Sequence, residues 1–416
     1  MTAVNRSRLL LVSAALATLS LTALAGIAPA QAAGPSRPFG SHPVSYAGAG
    51  HAPGGTSAAD DLTAAAYDSW KTDYLRAGCG AGRYYVDASS STDSLVVSEG
   101  QGYGMVVTAL MAGEDPEAQT LFDGLFAYVE DHPSDGDPRL MSWHQDTGCA
   151  SIPGDSGSAT DGDLDIAFAL LLADTQWGSA GGVDYRAEAL EIIAGIKQNE
   201  INPTTFLPKL GDWIDPSDTD RWFAVRSSDL MTDHFIAFQH ATGDAFWSTV
   251  TAKTNALITS MQSRYAATTG LLPDFIVRTN TTARPAPAGF HETDRDGMFA
   301  WNACRDPWRL SASALAAGDP AAGAAVARIT NWAKSTTGGD PSAFHAGYRL
   351  NGRELESWSD SAFTGPITAA ALVRSSDQAW LDAAWAELVS APSGGYFADT
   401  VRLQSMLLVS NNYWIP

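Results

Sequence analysis

Between about Ser57 and Pro416 the chain repeats one pattern, apolar side chains at helical spacing. Tyr103, Val106, Val107, Leu110 and Met111 share a stripe, as do Leu121, Phe122, Leu125 and Val129. Leu164, Phe168 and Leu171 form another, followed by Ala189, Ile192, Ile193 and Ile196. Later stripes are Phe246, Val250, Leu257 and Met261; Ala325, Ile329 and Trp332; and Leu403, Met406, Leu407 and Ser410. The separators are short and carry Gly, Pro, Asp and Asn, as in Gly113-Glu114-Asp115-Pro116, Gly243-Asp244 and Gly318-Asp319-Pro320. Alternating strand patterns are scarce, and extended patches such as Arg83–Val86 are assigned to loops. No linker interrupts the pattern and no fixed-period repeat supports a solenoid. The expectation is one all-α domain of about twelve helices, with antiparallel neighbours.

Hydrophobic residues make up 45% of the 416 and charged residues only 17%, which excludes a disordered or coiled-coil chain. The net charge of −21 repels a nucleic-acid backbone, so DNA and RNA are excluded as partners. Residues 1–32 read as a secretory signal peptide: Arg6 and Arg8, an apolar run from Leu9 to Ala25, and Ala30-Gln31-Ala32 as a cleavage site before Ala33. A membrane anchor fits less well, because the run is rich in Ala, Ser and Thr and ends at Pro29. Residues 33–56, rich in Gly, Pro and Ala, are expected to form a flexible tail, and residues 57–416 the folded domain. The expected product is a secreted monomer with no membrane association. Export permits one disulfide among Cys79, Cys149 and Cys304, and the sequence leaves the pair open.

Several motifs mislead. Gly154-Asp155-Ser156-Gly157-Ser158 resembles a protease nucleophile loop, but that class is all-β. Gly100-x-Gly102-x-Gly104 and Gly78-x-Gly80-x-Gly82 follow no strand of a βαβ unit, so no dinucleotide is implied. His291-Glu292 has no second His at zinc-site spacing. No metal and no cofactor are inferred.

Three acidic clusters lie among glycines and aromatics rather than on a charged face. In Ser98-Glu99-Gly100-Gln101-Gly102-Tyr103-Gly104-Met105, Ser98 is a candidate helix cap with Glu99 in the first turn. The glycines weaken that helix, which close approach of a ligand or another backbone would justify. In Thr160-Asp161-Gly162-Asp163-Leu164-Asp165, Thr160 and Asp163 suggest a capping box, and Asp161 sits at the helix start. The third runs from Gly289 through His291, Glu292, Asp294 and Asp296 into Trp301-Asn302-Ala303-Cys304-Arg305-Asp306-Pro307-Trp308-Arg309.

Together these segments resemble glycoside hydrolase family 8, from Tyr74-Leu75-Arg76-Ala77 to Asn411-Asn412-Tyr413-Trp414-Ile415-Pro416. The resemblance implies an (α/α)6 barrel with an open cleft and hydrolysis with inversion. By motif, Glu99 takes the place of the general acid and Asp161 that of the carboxylate holding the sugar at the cleavage point. One branch of the family has an Asp base where this chain has Asn302, and an amide cannot accept the proton. The chitosanase and lichenase branch uses a Glu in an inserted loop, which Glu292 matches; Asp294 and Asp296 compete for the role.

Inversion needs a protonated carboxyl at the leaving oxygen and an ionised one activating water, about 6.5–9.5 Å apart. Sugar faces need aromatic platforms, for which Tyr103, Trp143, Trp213, Trp222, Trp301 and Trp308 are candidates. Arg309 is expected to orient a carboxylate, and Asp229 to sit by the site. The expected partner is a β-1,4-linked polysaccharide. The acidity, with Asp215, Asp218 and Asp220 in one loop, favours chitosan over β-glucan. A non-catalytic carbohydrate-binding protein on the same barrel is the alternative.

Overall fold

The computed structural model describes residues 34–416; the candidate signal peptide lies outside the described residues. Thirteen α-helices are present among the described residues, α6 (Thr219–Trp222) being a single turn. Six pack into a closed ring: α2 (Ser98–Leu110), α4 (Thr160–Trp177), α7 (Thr232–Thr242), α9 (Asp306–Leu315), α11 (Ser361–Leu372) and α13 (Tyr396–Val409). Each touches the next, and α13 returns to α2. Six more lie outside, each chiefly against one inner partner: α1 (Thr56–Tyr74), α3 (Ala118–Asp131), α5 (Tyr185–Asn199), α8 (Phe246–Tyr265), α10 (Pro320–Thr336) and α12 (Gln378–Ser390). This is the (α/α)6 barrel expected.

The inner helices are covered on all sides, so they are apolar or small nearly throughout. Thr160 to Ala173 of α4 are buried without a break, as are eleven of the twelve residues of α11. The outer helices keep the one-sided stripe of a surface helix. Their ends follow local chemistry. Asp319 caps α10 ahead of Pro320, Asp184 caps α5, and Gly243 closes α7 in the left-handed conformation. Two expected caps differ. Ser98 and Thr160 open their helices from inside, and the hydroxyl of neither finds a partner. Their surroundings are packed helix, not solvent, and Asp163 turns instead to the Met141 amide at 2.8 Å.

The signature glycines serve helix contact. A Cβ on Gly102 would sit 2.8 Å from the Asp165 Cβ and 2.9 Å from the Gly162 carbonyl, so α2 and α4 meet backbone to backbone. Arg83–Val86, assigned to a loop, is largely strand. Tyr84–Val86 pairs antiparallel with Leu75–Ala77 in the register Leu75↔Val86. Val96–Val97 pairs with His144–Gln145 and feeds directly into α2. A three-stranded patch joins Val225–Arg226, Phe275–Val277 and Arg284–Pro285 beside the cleft.

The segment expected to be a flexible tail is a docked strap. The Phe39 amide donates to the Ala112 carbonyl at 2.8 Å, Gly40 to Asn412 at 2.8 Å, and the Tyr46 hydroxyl to the Tyr413 carbonyl at 2.5 Å. Arg37 lies over the Trp414 ring. Composition without periodicity excluded a helix there, but an extended strap needs only backbone bonds and a few anchors. Cys79 and Cys149 form the disulfide, and Cys304 is a buried thiol.

Candidate active site

Five of the inner helices, α2, α4, α9, α11 and α13, have their N-terminal ends at one mouth of the barrel, while α7 begins deeper, its Asp233 against Ser313 of α9. Glu99 is in the first turn of α2 and Asp161 in that of α4; Arg305 immediately precedes α9, and Tyr396 begins α13. A groove at this mouth is lined by Glu99, Glu292, Trp301, Asn302, Arg305, Tyr396 and Phe397.

Arg305 is the hub. Its Nη1 donates to Glu99 Oε2, to Asp161 Oδ2 at 3.0 Å and to the Tyr103 hydroxyl at 3.1 Å. Its Nη2 donates to Asn302 Oδ1 at 2.9 Å, and Asn302 Nδ2 donates to Glu292 Oε2 at 2.7 Å. The two glutamates therefore stand at opposite ends of a guanidinium–amide bridge, both open to the groove. Arg226 closes a second path, 3.3 Å from Asp161 and 3.3 Å from Glu292. Asp274 shapes the Asn302 turn by accepting the amides of Ala300, Asn302 and Ala303, and burial pushes its carboxyl up to about 7.

The environments drive the carboxyls apart. Burial raises Glu99 above the ordinary glutamate range, and Asp161 adds to that; the opposing pull of Arg305 is smaller than both together. The Tyr396 hydroxyl donates to Glu99 Oε1 at 3.0 Å. Gly100 makes that contact possible, since a Cβ there would lie 2.7 Å from the Tyr396 hydroxyl. Asp161 is also buried, yet Arg226 and Arg305 together hold it below the ordinary aspartate range. One proton-holding and one ionised carboxyl side by side is the pattern acid catalysis needs.

Of the three loop acids, only Glu292 reaches this assembly. Both Asp296 oxygens are occupied by the amides of His291, Glu292 and Thr293, so this side chain builds the loop. Asp294 faces a separate hollow with Met298 and Arg349.

The aromatic candidates divide by exposure. Trp213 is 45% exposed and stacks near His291, and Trp301 is 39% exposed beside Phe397. Trp143 is half-buried, stacked on His144 with its indole N–H on Asp155. Trp222 is half-buried under the Lys209 ammonium. Trp308 and Tyr103 cannot be platforms, because both are fully buried and pack edge to face on each other. Arg309 orients a carboxylate as expected, but that of Asp165, with two bonds inside the barrel and no route to a sugar. Asp229 lies near Arg226 at 3.9 Å but is fully buried, and burial keeps it well above its ordinary range. It supports the site from below.

Sequence reading missed Arg226, the hub role of Arg305, Tyr396 and Trp358. Trp358 is 46% exposed, 6.3 Å from Trp301, where the groove continues past Asp360 and Gly394. The Gly394-Gly395-Tyr396 step was a signal for a chain turn delivering an aromatic, though not for its target.

Residues 54–410 match the family described as Glycosyl hydrolases family 8. The chain is 42% identical over 386 residues to a β-glucanase of Niallia circulans, covering 92% of each, and 36% identical over 359 residues to an endoglucanase of Bacillus sp. strain KSM-330, covering 84% of this chain and 76% of that one. It is also similar to the solved apo structure of a β-1,3-1,4-glucanase from Paenibacillus sp. X4, at 41% identity and a TM-score of 0.87 over 92% of this chain and 100% of the other. A cold-adapted family 8 xylanase, 16% identical with a TM-score of 0.71, shares the fold. The barrel, the paired carboxyls at its mouth and this likeness along nearly the whole folded chain agree: it belongs to glycosyl hydrolase family 8.

Proposed function

We propose that this glycoside hydrolase is an exported endo-β-glucanase that cleaves β-1,4 bonds in mixed-linkage β-glucan with inversion. One observation carries the reading: Glu99 and Glu292 open into one groove, separated by the Arg305–Asn302 bridge. A guanidinium and an amide between two carboxyls leave space for water, as inversion requires. In this scheme Glu99 gives its proton to the leaving oxygen as the glycosidic bond breaks. A water held by Glu292 adds its oxygen to the anomeric carbon and passes a proton to Glu292. Asp161, anchored by Arg226 and Arg305, holds the sugar at the cleavage point. Trp213, Trp301 and Trp143 offer ring faces along the path.

Mixed-linkage glucan replaces chitosan as the favoured substrate. The comparisons lend chitosan no support, and two of the three anions counted toward an amine-bearing chain are engaged locally: Asp215 holds Ser217, and Asp218 caps α6 and pairs with Arg221. Arginines, not free carboxylates, lie around the acids at the groove.

Incubating the protein with barley β-glucan, carboxymethylcellulose and chitosan tests the reading. Reducing ends are expected from barley β-glucan first, with the inverted anomer seen by NMR in early product. Glu292→Gln is expected to cost at least about a hundredfold in kcat. A loss within tenfold removes Glu292 as the base. For export, Edman sequencing of culture-medium protein is expected to begin at Ala33. Among the described residues no helix is long and apolar enough to cross a membrane.

A further inference from the structure

Behind Asp161 lies a second pair of acids with no part in the scheme above. Asp163 on α4 and Glu200 after α5 are both fully buried, and each carboxyl acts on the other. Ionised carboxylates only accept, so a bond between them requires a proton. The other partners are settled. Asp163 Oδ1 accepts from the Met141 amide at 2.8 Å, and Glu200 Oε1 from the Ser158 hydroxyl at 2.6 Å. The remaining oxygens, Asp163 Oδ2 and Glu200 Oε2, are buried with no hydrogen-bond partner.

The pair sits where three segments meet. Ser158 also binds Asp212, its amide donating to Oδ1 at 2.8 Å and its hydroxyl accepting from the Asp212 amide at 3.1 Å. The Lys209 amide donates to the Glu200 carbonyl at 2.7 Å. Trp213 follows Asp212 directly, and a Cβ on Gly157 would lie 2.9 Å from its side chain. A continuous path thus runs from Trp213 through Asp212, Ser158, Glu200 and Asp163 to the α4 N-terminus and Asp161. We propose that Asp163 and Glu200 are positioning residues, sharing one proton that clasps the Asp161 end of α4 to the segment carrying Trp213.

The surrounding charges fit a shared proton. Asp212 faces the pair from the Trp213 segment with like charge, Asp229 feels Glu200 from beyond the α4 terminus, and the buried Lys209 faces Glu200 with opposite charge. Burial leads and Asp212 assists in pushing Glu200 up to about 8; Asp163 is raised as well. A carboxyl held above its unfolded value adds stability that is full at acid pH and drains as pH climbs toward the folded value. The window runs here from the ordinary glutamate range to about pH 8.

The functional half rests on the roles given above to Asp161 and Trp213; the clasp itself does not. Melting temperatures of the full chain from pH 5 to 8 read it without substrate. Wild type is expected to fall with pH by about 4 °C more than Glu200→Gln, whose amide donates at any pH. Equal slopes overturn the shared proton. Glu200→Ala is expected to speed hydrogen exchange over residues 157–163 and 209–213, and to lower kcat about tenfold on barley β-glucan. Glu200→Gln is expected to recover most of both. A folded Glu200→Ala with wild-type exchange, kcat and KM overturns the positioning role. Should it not fold, Asp163→Asn carries the same two readouts. Wild type inactive on every glucan overturns the substrate reading while the melting and exchange results still decide the clasp.

Discussion

Asp161 acts on Glu99 without touching it. Its negative charge is one of two influences keeping the Glu99 proton in place, and Arg305, bonded to both, works against it. Removing that charge has a definite sign. In Asp161→Asn, Glu99 loses its proton at lower pH, so the alkaline limb of the kcat profile moves to lower pH, on top of a large fall in kcat. An unmoved limb in a full pH–rate profile would sink the coupling. At this scale the sequence was partly readable. Glu99 and Asp161 stood out because each begins a helix beside glycine, where a carboxylate is both tolerated and aimed. Asn302 was readable as a residue unable to act as base. That it ties Glu292 to Arg305 was not, because both bonds depend on the loop fold around Asp274 and Asp296. Trp308 was misplaced for a related reason. Its sequence neighbours are polar, but its indole lies inside the ring, against Tyr103 and Arg309.

Between elements, the α2–α4 contact fixes the distance from Glu99 to Asp161. Gly162 is its tightest point: an added Cβ would lie 2.4 Å from the Ser98 hydroxyl and 2.7 Å from the Ser98 backbone carbon. Neither backbone has room to give way. Gly162→Ala is therefore expected to cost about 1–3 kcal/mol by overpacking, and to lower kcat by displacing Asp161. Chemical denaturation and steady-state kinetics check both, and a wild-type midpoint would show the crossing to be slack. The outer helices were the more legible elements, since a half-exposed helix must show its stripe. α11 carries Pro366 and small residues with little polar face, so periodicity alone did not mark it. The strands escaped because each has only two or three residues.

Across the whole molecule, α2, α4, α9, α11 and α13 bring their N-terminal ends to the groove side of the barrel. Each N-terminus carries a partial positive charge, which offsets part of the cost of burying a carboxyl there. Glu99, Asp161, Asp306 and the Asp360 cap of α11 all occupy that position. A net negative chain thus gathers acids at one mouth for a structural reason, and overall charge was a poor guide to substrate. The opposite mouth belongs to the strap, which binds beyond the C-terminal ends of α2 and α13 and the last turn of α4. α2 alone puts about 20 Å between the two mouths. Deleting residues 34–54 is therefore expected to lower the melting temperature by about 5 °C while leaving kcat at 25 °C within twofold. A large loss of kcat in that truncation would mean the strap reaches the chemistry.

The ring closes where α13 meets α2, and through that seam Tyr396 reaches Glu99. A ribosome makes α2 early and α13 after every other inner helix. During synthesis Glu99 waits, its hydroxyl neighbour not yet made and the barrel still gapped. Cutting power thus arrives in one step with the final helix, and a prematurely stopped product is born harmless to glucan.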